Sequence, residues 1–194
     1  MITKKIASVS ALALLAITLG ACSSDNNTAD SSAASSSAAT EQTTASSAPE
    51  VLSTASVSAD PSVIEKALSA DGNWIVGVTQ DMTFDKDVTV AGEFHDKGDA
   101  SADIYRKLAL YSQDKDRNVT AEYNITVPQL IVESENLNIV HGTVTGDVLV
   151  KANGFVLDGA TVTGNVTFEK QEYQDSAKLE ENGAKVEGEV TVSE

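Results

Sequence analysis

The chain has 194 residues, 29 of them acidic and 13 basic, for a formal charge of −16. That balance excludes a nucleic-acid partner, or an anionic lipid surface, held by a basic face. A single cysteine, Cys22, excludes an internal disulfide and a cysteine zinc site, and the histidines His95 and His141 stand alone, with no second His at ligand spacing.

Residues 1–21 have the layout of an export signal: basic Lys4 and Lys5, an uncharged apolar run over residues 6–19, then the small residues Gly20 and Ala21. The apolar run falls short of the about 20 residues that a spanning helix needs, so it reads as a removable signal peptide. The tetrapeptide Leu19-Gly20-Ala21-Cys22 resembles a lipobox. That resemblance implies a lipoprotein, with diacylglycerol and palmitate on Cys22 and the chain anchored to the cell membrane on its extracytoplasmic face. Removal of Lys4 and Lys5 leaves 11 basic against 29 acidic side chains. Residues 22–59 are rich in Ser, Ala and Thr, carry no Lys, Arg or aromatic residue and show no period. Such a stretch buries too little apolar surface to offset its chain entropy, so it reads as a disordered linker. Its root-mean-square span is roughly 35 Å. A Ser/Ala/Thr-rich spacer after a lipid-bearing cysteine resembles the surface lipoproteins of Gram-positive bacteria, while Ser23 after the cysteine equally permits outer-membrane sorting in a two-membrane cell.

Residues 60–194 read as one folded domain. It opens on a helix signal, with Asp60 as N-cap, Pro61 at the first helical position, Val63, Ile64, Ala67 and Leu68 on one face, and Asp71-Gly72 as the stop. After Gly72 the pattern is that of strands: residues 74–78, 88–90, 108–111 and 123–127 alternate or are β-branched, with Gly, Asn and Asp between them.

The last third repeats itself. The phrase at residues 143–148 (TVTGDV) recurs 18 residues later at 161–166 (TVTGNV) and 24 residues after that at 185–190 (KVEGEV). The larger step places a six-residue insertion within residues 169–180. Apolar columns follow this register: Leu130/Val148/Val166/Val190, Val132/Val150/Phe168/Val192, Val144/Val162/Val186 and Ile139/Leu157. One such unit cannot bury its own apolar face, so stacked units are required. The expected fold is all-β, a single-stranded, right-handed parallel β-helix, with the helix capping its first turn. Gly146, Gly164 and Gly188 align and suggest a corner that needs positive φ. Residues 95–107 read as an excursion between turns.

The phrases GATVTGNV and GAKVEGEV, with VLVKANGFVLDGATVTG around them, resemble the turns of bactofilins, polymer-forming cytoskeletal β-helix proteins of bacteria. The resemblance covers residues 130–194 and implies a right-handed β-helix that stacks end to end into filaments without nucleotide. Two departures stand against it: bactofilins are cytoplasmic or lie on the inner membrane face, whereas this chain reads as exported on a lipid, and its first half has the helix-capped look of extracellular β-helices.

Candidate chemistry rests on carboxylates. Asp85, Asp87, Asp96, Asp99, Asp103, Asp114 and Asp116, with the only arginines, Arg106 and Arg117, are the residues a polysaccharide-cleaving site could use. Asp114, Asp116 and Asn118 alternate like the start of a calcium loop, but Val119 and Ile125 stand where an EF-hand requires Gly and Glu. Calcium is the single cofactor suggested. No nucleophile elbow, phosphate loop or zinc motif is present, and the chain reads as a non-enzyme. Anchor, spacer and repeat domain together point to a surface binding or structural module for a cell-wall polymer, a glycan or a surface protein. The alternatives are a self-associating, bactofilin-like scaffold and a carbohydrate-active β-helix enzyme. Against self-association, residues 169–194 carry eight acidic side chains and three lysines, and like charges repel a second copy.

Overall fold

A computed structural model describes residues 55–193. The export signal, Cys22 and the linker up to residue 54 lie outside the described residues. The strands are β1 (Ala55–Ser58), β2 (Ile75–Val78), β3 (Met82–Thr83), β4 (Val88–Val90), β5 (Arg106–Ala109), β6 (Tyr111–Gln113), β7 (Val119–Glu122) and β8 (Asn124–Val132). They continue as β9 (Leu137–Val140), β10 (Thr143–Val150), β11 (Val156–Asp158), β12 (Thr161–Val162), β13 (Val166–Phe168), β14 (Lys178–Glu181), β15 (Lys185–Val186) and β16 (Val190–Val192). Two helices interrupt them, α1 (Pro61–Leu68) and α2 (Gln171–Ser176).

The fold is all-β and its two large sheets are parallel. The first stacks β1, β2, β5, β9, β11 and β14 in chain order; the second gathers β3, β4, β8, β10, β12, β13, β15 and β16. From β2 onward each passage of the chain visits the first sheet and then the two halves of the second, and in β8 and β10 one continuous strand supplies both halves. The 18-residue columns are the actual pairings. Val88, Leu130, Val148, Val166 and Val190 are direct partners in succession, as are Val90, Val132, Val150, Phe168 and Val192. In the first sheet the same is true of Val76, Leu108, Ile139 and Leu157. All but the terminal Val190 and Val192 are buried in one continuous core. Each fully buried aliphatic side chain contributes about 1.5–3 kcal/mol.

The irregular steps have separate causes. From Val166 to Val190 the step is 24 residues because α2, six residues long, is inserted. From Leu108 to Ile139 it is 31, because an antiparallel hairpin, β6–β7, interrupts the passage and β8 holds one extra residue, Val127-Pro128 facing Gly146 alone. Proline has no N–H to offer a ladder and suits such a bulge.

Several expectations are corrected. β1 lies inside the segment read as linker and pairs in register with β2, so ordered structure begins by residue 55 and not at residue 60. Its sequence, Ala-Ser-Val-Ser, resembles the linker in composition, and only the waiting edge of β2 makes it a strand. Asp60 caps α1 as expected, its carboxylate accepting from the Ser62 hydroxyl at 2.7 Å and the Ser62 amide at 2.8 Å, which in that order hold the Asp60 carboxyl below its ordinary range. Ile64, Ala67 and Leu68 are buried, but Val63 is 45% exposed. The helix packs on β1, β2 and β4, so β1 edges the first sheet while α1 covers the adjoining end of the second. The excursion ends at residue 105, since Arg106 and Lys107 already belong to β5.

The glycine column has a different cause from the one expected. Only Gly146 has positive φ, at 141°. What the three share is a neighbouring carbonyl oxygen: a Cβ would meet Val127 O at 1.8 Å from Gly146, Gly146 O at 2.3 Å from Gly164, and Gly164 O at 2.4 Å from Gly188. Next to them the Asn165 amide donates to Asp147 Oδ1 at 2.8 Å and the Glu189 amide to Asn165 Oδ1 at 2.9 Å. The corner is a close backbone approach laced by side-chain acceptors. Gly164→Ala is therefore expected to destabilise the domain by about 1–3 kcal/mol in urea unfolding, as overpacking does. An unchanged midpoint would refute the close-packing account.

Candidate groove on the first sheet

The outward side chains of the first sheet form a second set of columns, one residue ahead of the buried set. Ile75, Lys107, Asn138 and Val156 are direct partners on β2, β5, β9 and β11. Neighbouring strands are about 4.8 Å apart, so these four positions span roughly 14 Å. They floor an open groove of about 1050 Å³. The excursion leaves the sheet before β5 and the hairpin leaves after it, so the two flank the groove at opposite ends of the strands. Asp96, Lys97, Asp103, Ile104 and Tyr105 of the excursion line it, as do Arg117 at the hairpin tip and Trp74, Asn136 and Gly154 at the strand starts.

The walls are held by local hydrogen bonds. His95 and Ile104 form an antiparallel bridge at the root of the excursion, and His95 Nδ1 lies 2.7 Å from the Ala102 carbonyl. Asn136 Nδ2 donates to Ile104 O at 3.0 Å, and Asn138 Nδ2 to Asn136 O at 2.9 Å. Trp74 and Tyr105 lie with ring centroids 6.0 Å apart. Burial, followed by the Asp96 and Asp158 carboxylates, pushes the Tyr105 hydroxyl pKa up, so Tyr105 remains a neutral phenol.

Of the carboxylates and arginines singled out in the sequence, the fold brings Asp96, Asp103 and Arg117 to this groove and scatters the rest. Asp96 is met by Lys97 at 3.5 Å. Asp99 is turned to its own loop, where it accepts from the Ser101 amide at 2.9 Å and hydroxyl at 2.7 Å. Asp85 borders a separate depression with Pro61, Glu65 and Lys86. Asp114, Asp116 and Asn118 form the hairpin turn. Both Asp114 oxygens serve that turn, Oδ1 accepting from the Asp116 and Asn118 amides at 2.9 Å each and Oδ2 from Asn118 Nδ2 at 3.0 Å. These bonds lower the Asp114 pKa, with the Asn118 side chain the largest cause. Among the described residues no group of three or more His, Cys, Asp or Glu is placed to hold a metal ion.

Arg106 belongs to no surface site. It is fully buried, and its guanidinium donates to the Ala67 carbonyl at 2.8 Å, the Ser69 carbonyl at 3.2 Å, the Ser134 hydroxyl at 2.9 Å and the Ala91 carbonyl. The Phe94 ring lies 4.1 Å from its central carbon. Ala67 and Ser69 are at the C-terminal end of α1, where unpaired carbonyls and the helix dipole favour a cation. Burial lowers the Arg106 pKa to about 10, which still leaves the charge intact at neutral pH. Ser134, also buried, passes the bond on to the Gly92 carbonyl at 2.8 Å. One cation thus ties together the helix end, the root of the excursion and the turn after β8.

The sequence reading missed Trp74, Tyr105, Lys107, Asn136 and Asn138. A usable signal existed for Asn138 alone, because Asn138 and Val156 keep the 18-residue offset one position ahead of the buried Ile139 and Leu157.

The His95 pKa is raised above 6.5, first by the bond to the Ala102 carbonyl and then by Glu93. A raised folded-state value means that the protonated ring favours the ordered excursion. That contribution is full below about pH 6.5 and is lost as pH rises through the folded-state pKa. Amide exchange over residues 96–104 is expected to gain a component as pH rises above about 6.5, beyond intrinsic base catalysis, that disappears in His95→Gln. Identical pH profiles for the two proteins would rule this out. No protein-family model matches the chain, nor does any curated protein or solved structure.

Proposed function

We propose that this chain is a lipid-anchored extracytoplasmic lipoprotein, held at Cys22, whose folded part is a right-handed parallel β-helix acting as a non-catalytic binding module. Three rows of in-register parallel strands, visited in the same order at every passage, support the β-helix, and the strong right-handed preference of parallel crossovers supports its hand. The groove carries the functional reading. A floor of outward-facing residues from four successive strands, with aromatic, amide and charged side chains around it, suits an extended ligand lying across the sheet.

The test is retention of isolated envelope polymers by the full chain in affinity electrophoresis. Asn138→Trp, which fills the groove floor, is expected to abolish retention without moving the unfolding midpoint, and no reducing ends are expected to accumulate. Failure to retain any wall polymer, glycan or surface protein would sink the binding-module reading; accumulating reducing ends would favour the carbohydrate-active enzyme.

A second reading, a polymer-forming scaffold in the manner of bactofilins, has one observation in its favour. Among the described residues no helix covers the last strands, Val190 is 39% exposed, and Leu179, Ala184 and Val186 line a depression beside it. Unpaired strand edges of this kind invite a second copy. Sedimentation velocity over a concentration series, with and without millimolar calcium, separates the two: growing assemblies support the scaffold, and a monomer throughout removes it.

A further inference from the structure

We propose that the groove on the first sheet recognises a carboxylate-bearing polysaccharide, a chain of uronic-acid sugars, with Lys107 and Arg117 taking the sugar carboxylates. The inference rests on the binding-module reading and deepens it by naming the ligand class. Its starting point is where positive charge remains on a strongly acidic protein.

Among the described residues nearly every exposed lysine is neutralised by a carboxylate. Lys86 meets Glu65, Lys115 meets Asp116, Lys151 lies between Glu133 and Glu169, Lys170 meets Glu172, Lys178 meets Glu181, and Lys185 meets Glu187. Among the described residues three cations outside the core form no ion pair: exposed Lys66 on α1, and half-buried Lys107 and exposed Arg117, which both line the groove. Lys107 stands in the middle of the floor with its ammonium 6.0 Å from the Tyr111 ring centroid. Arg117 stands at the hairpin tip in a left-handed backbone conformation, φ 67°, that only a tight turn provides. The groove lining holds three cations, Lys97, Lys107 and Arg117, against two carboxylates, Asp96 and Asp103, and this local excess of positive charge on a chain of net charge −16 favours an anionic ligand there while the remaining surface repels anions. A guanidinium also matches a carboxylate in fork geometry.

The other lining residues narrow the class from any polyanion to a sugar acid. Trp74 and Tyr105 supply aromatic surface beside the floor, suited to the apolar face of a sugar ring. Asn138 commits its Nδ2 to the Asn136 carbonyl, which leaves Oδ1 as an acceptor for a ring hydroxyl. A polymer of phosphates on acyclic alcohols would satisfy the cations and leave the aromatic surface unused. Since the floor crosses four strands, contact with several consecutive sugars is expected, and a single sugar acid should bind far more weakly than an oligomer.

The probes are a tetramer of galacturonic acid, its fully methyl-esterified form and a glycerol-phosphate oligomer, titrated calorimetrically into the full chain. The acid tetramer is expected to bind, with affinity falling as salt is raised, and the ester, which keeps the rings and loses the charge, is expected to bind about tenfold or more weakly. Lys107→Gln and Arg117→Gln should each weaken the acid about tenfold and leave the ester unchanged. Both side chains are on the surface, so the unfolding midpoint should not move; Lys66→Gln, which removes the unpaired cation outside the groove, should leave binding unaltered. Equal binding of acid and ester, or loss caused equally by Lys66→Gln, would overturn the sugar-acid assignment while keeping the groove as a binding site. Stronger binding of the glycerol-phosphate oligomer would replace it with a phosphate polymer. Absence of acid binding in a chain that still retains envelope polymers through the groove would overturn the assignment alone.

Discussion

In a parallel sheet whose strands come from successive passages of one chain, no passage can satisfy its own backbone. Every amide and carbonyl of β10 depends on β8 on one side and on β12 and β13 on the other. That dependence forces equivalent residues into contact: a strand can change its outward side chains freely, but an inward one must fit the residue 18 positions before it and the one after it. The β-branched columns, the glycine corner and the side-chain acceptors at Asp147 and Asn165 all follow from this one condition. So does the placing of the inserted segments. The 95–105 excursion, the β6–β7 hairpin and α2 enter where a strand has ended, so that the columns resume in register.

The condition also creates an end problem, which the two ends answer differently. At the N-terminal end β1 edges the first sheet and α1 lies over the second, and the junction is secured by a buried arginine with no carboxylate opposite it. Arg106 is held by carbonyl dipoles, a hydroxyl and an aromatic face. An uncompensated buried charge is expensive, and it persists here because the end of α1 presents carbonyls that would otherwise be unpaired. Residues 91, 92 and 94 belong to the same junction, so the root of the excursion, and with it one wall of the groove, is anchored to the core. At the other end no helix among the described residues covers the last strands, and acidic side chains surround the exposed edge.

The groove arises where the regular sheet meets two of its interruptions. The stacked strands supply a floor whose spacing is set by backbone hydrogen bonds, and the excursion and hairpin supply walls with a composition unlike the repeats. The division of labour is common in proteins, where a rigid scaffold presents loops that carry recognition. The same arrangement explains why the cations gather there. Within the regular repeats each lysine has an acidic neighbour one strand away or two to three residues along, while Lys107 sits between Ile75 and Asn138, and the nearest carboxylates of the hairpin tip are committed to Lys115 and to the turn itself.

Periodicity in the sequence by itself determined the pairing partners from Leu130 onward, because a column that must stay apolar at a constant offset leaves its register in the order of the residues. It also determined α1, whose cap, proline and stop are local signals, and the place of the six-residue insertion. Tertiary structure alone decided the matters that turn on partners distant in the chain. β1 is a strand because β2 offers an edge, Val63 faces outward although it continues the apolar stripe, and the glycines are required by a carbonyl from the preceding repeat and not by φ. Arg106 reads from sequence as a surface cation in a polar loop and is in fact a core residue. Asp96, Asp103 and Arg117 were legible as candidates but not as neighbours, for Arg117 stands on the hairpin after β5 and the two aspartates on the excursion before it. Trp74, Tyr105 and Lys107 carried no signal at all, since membership of a groove depends on which strands lie side by side, and the uneven 32- and 31-residue steps through β2, β5 and β9 hide that adjacency from any fixed period.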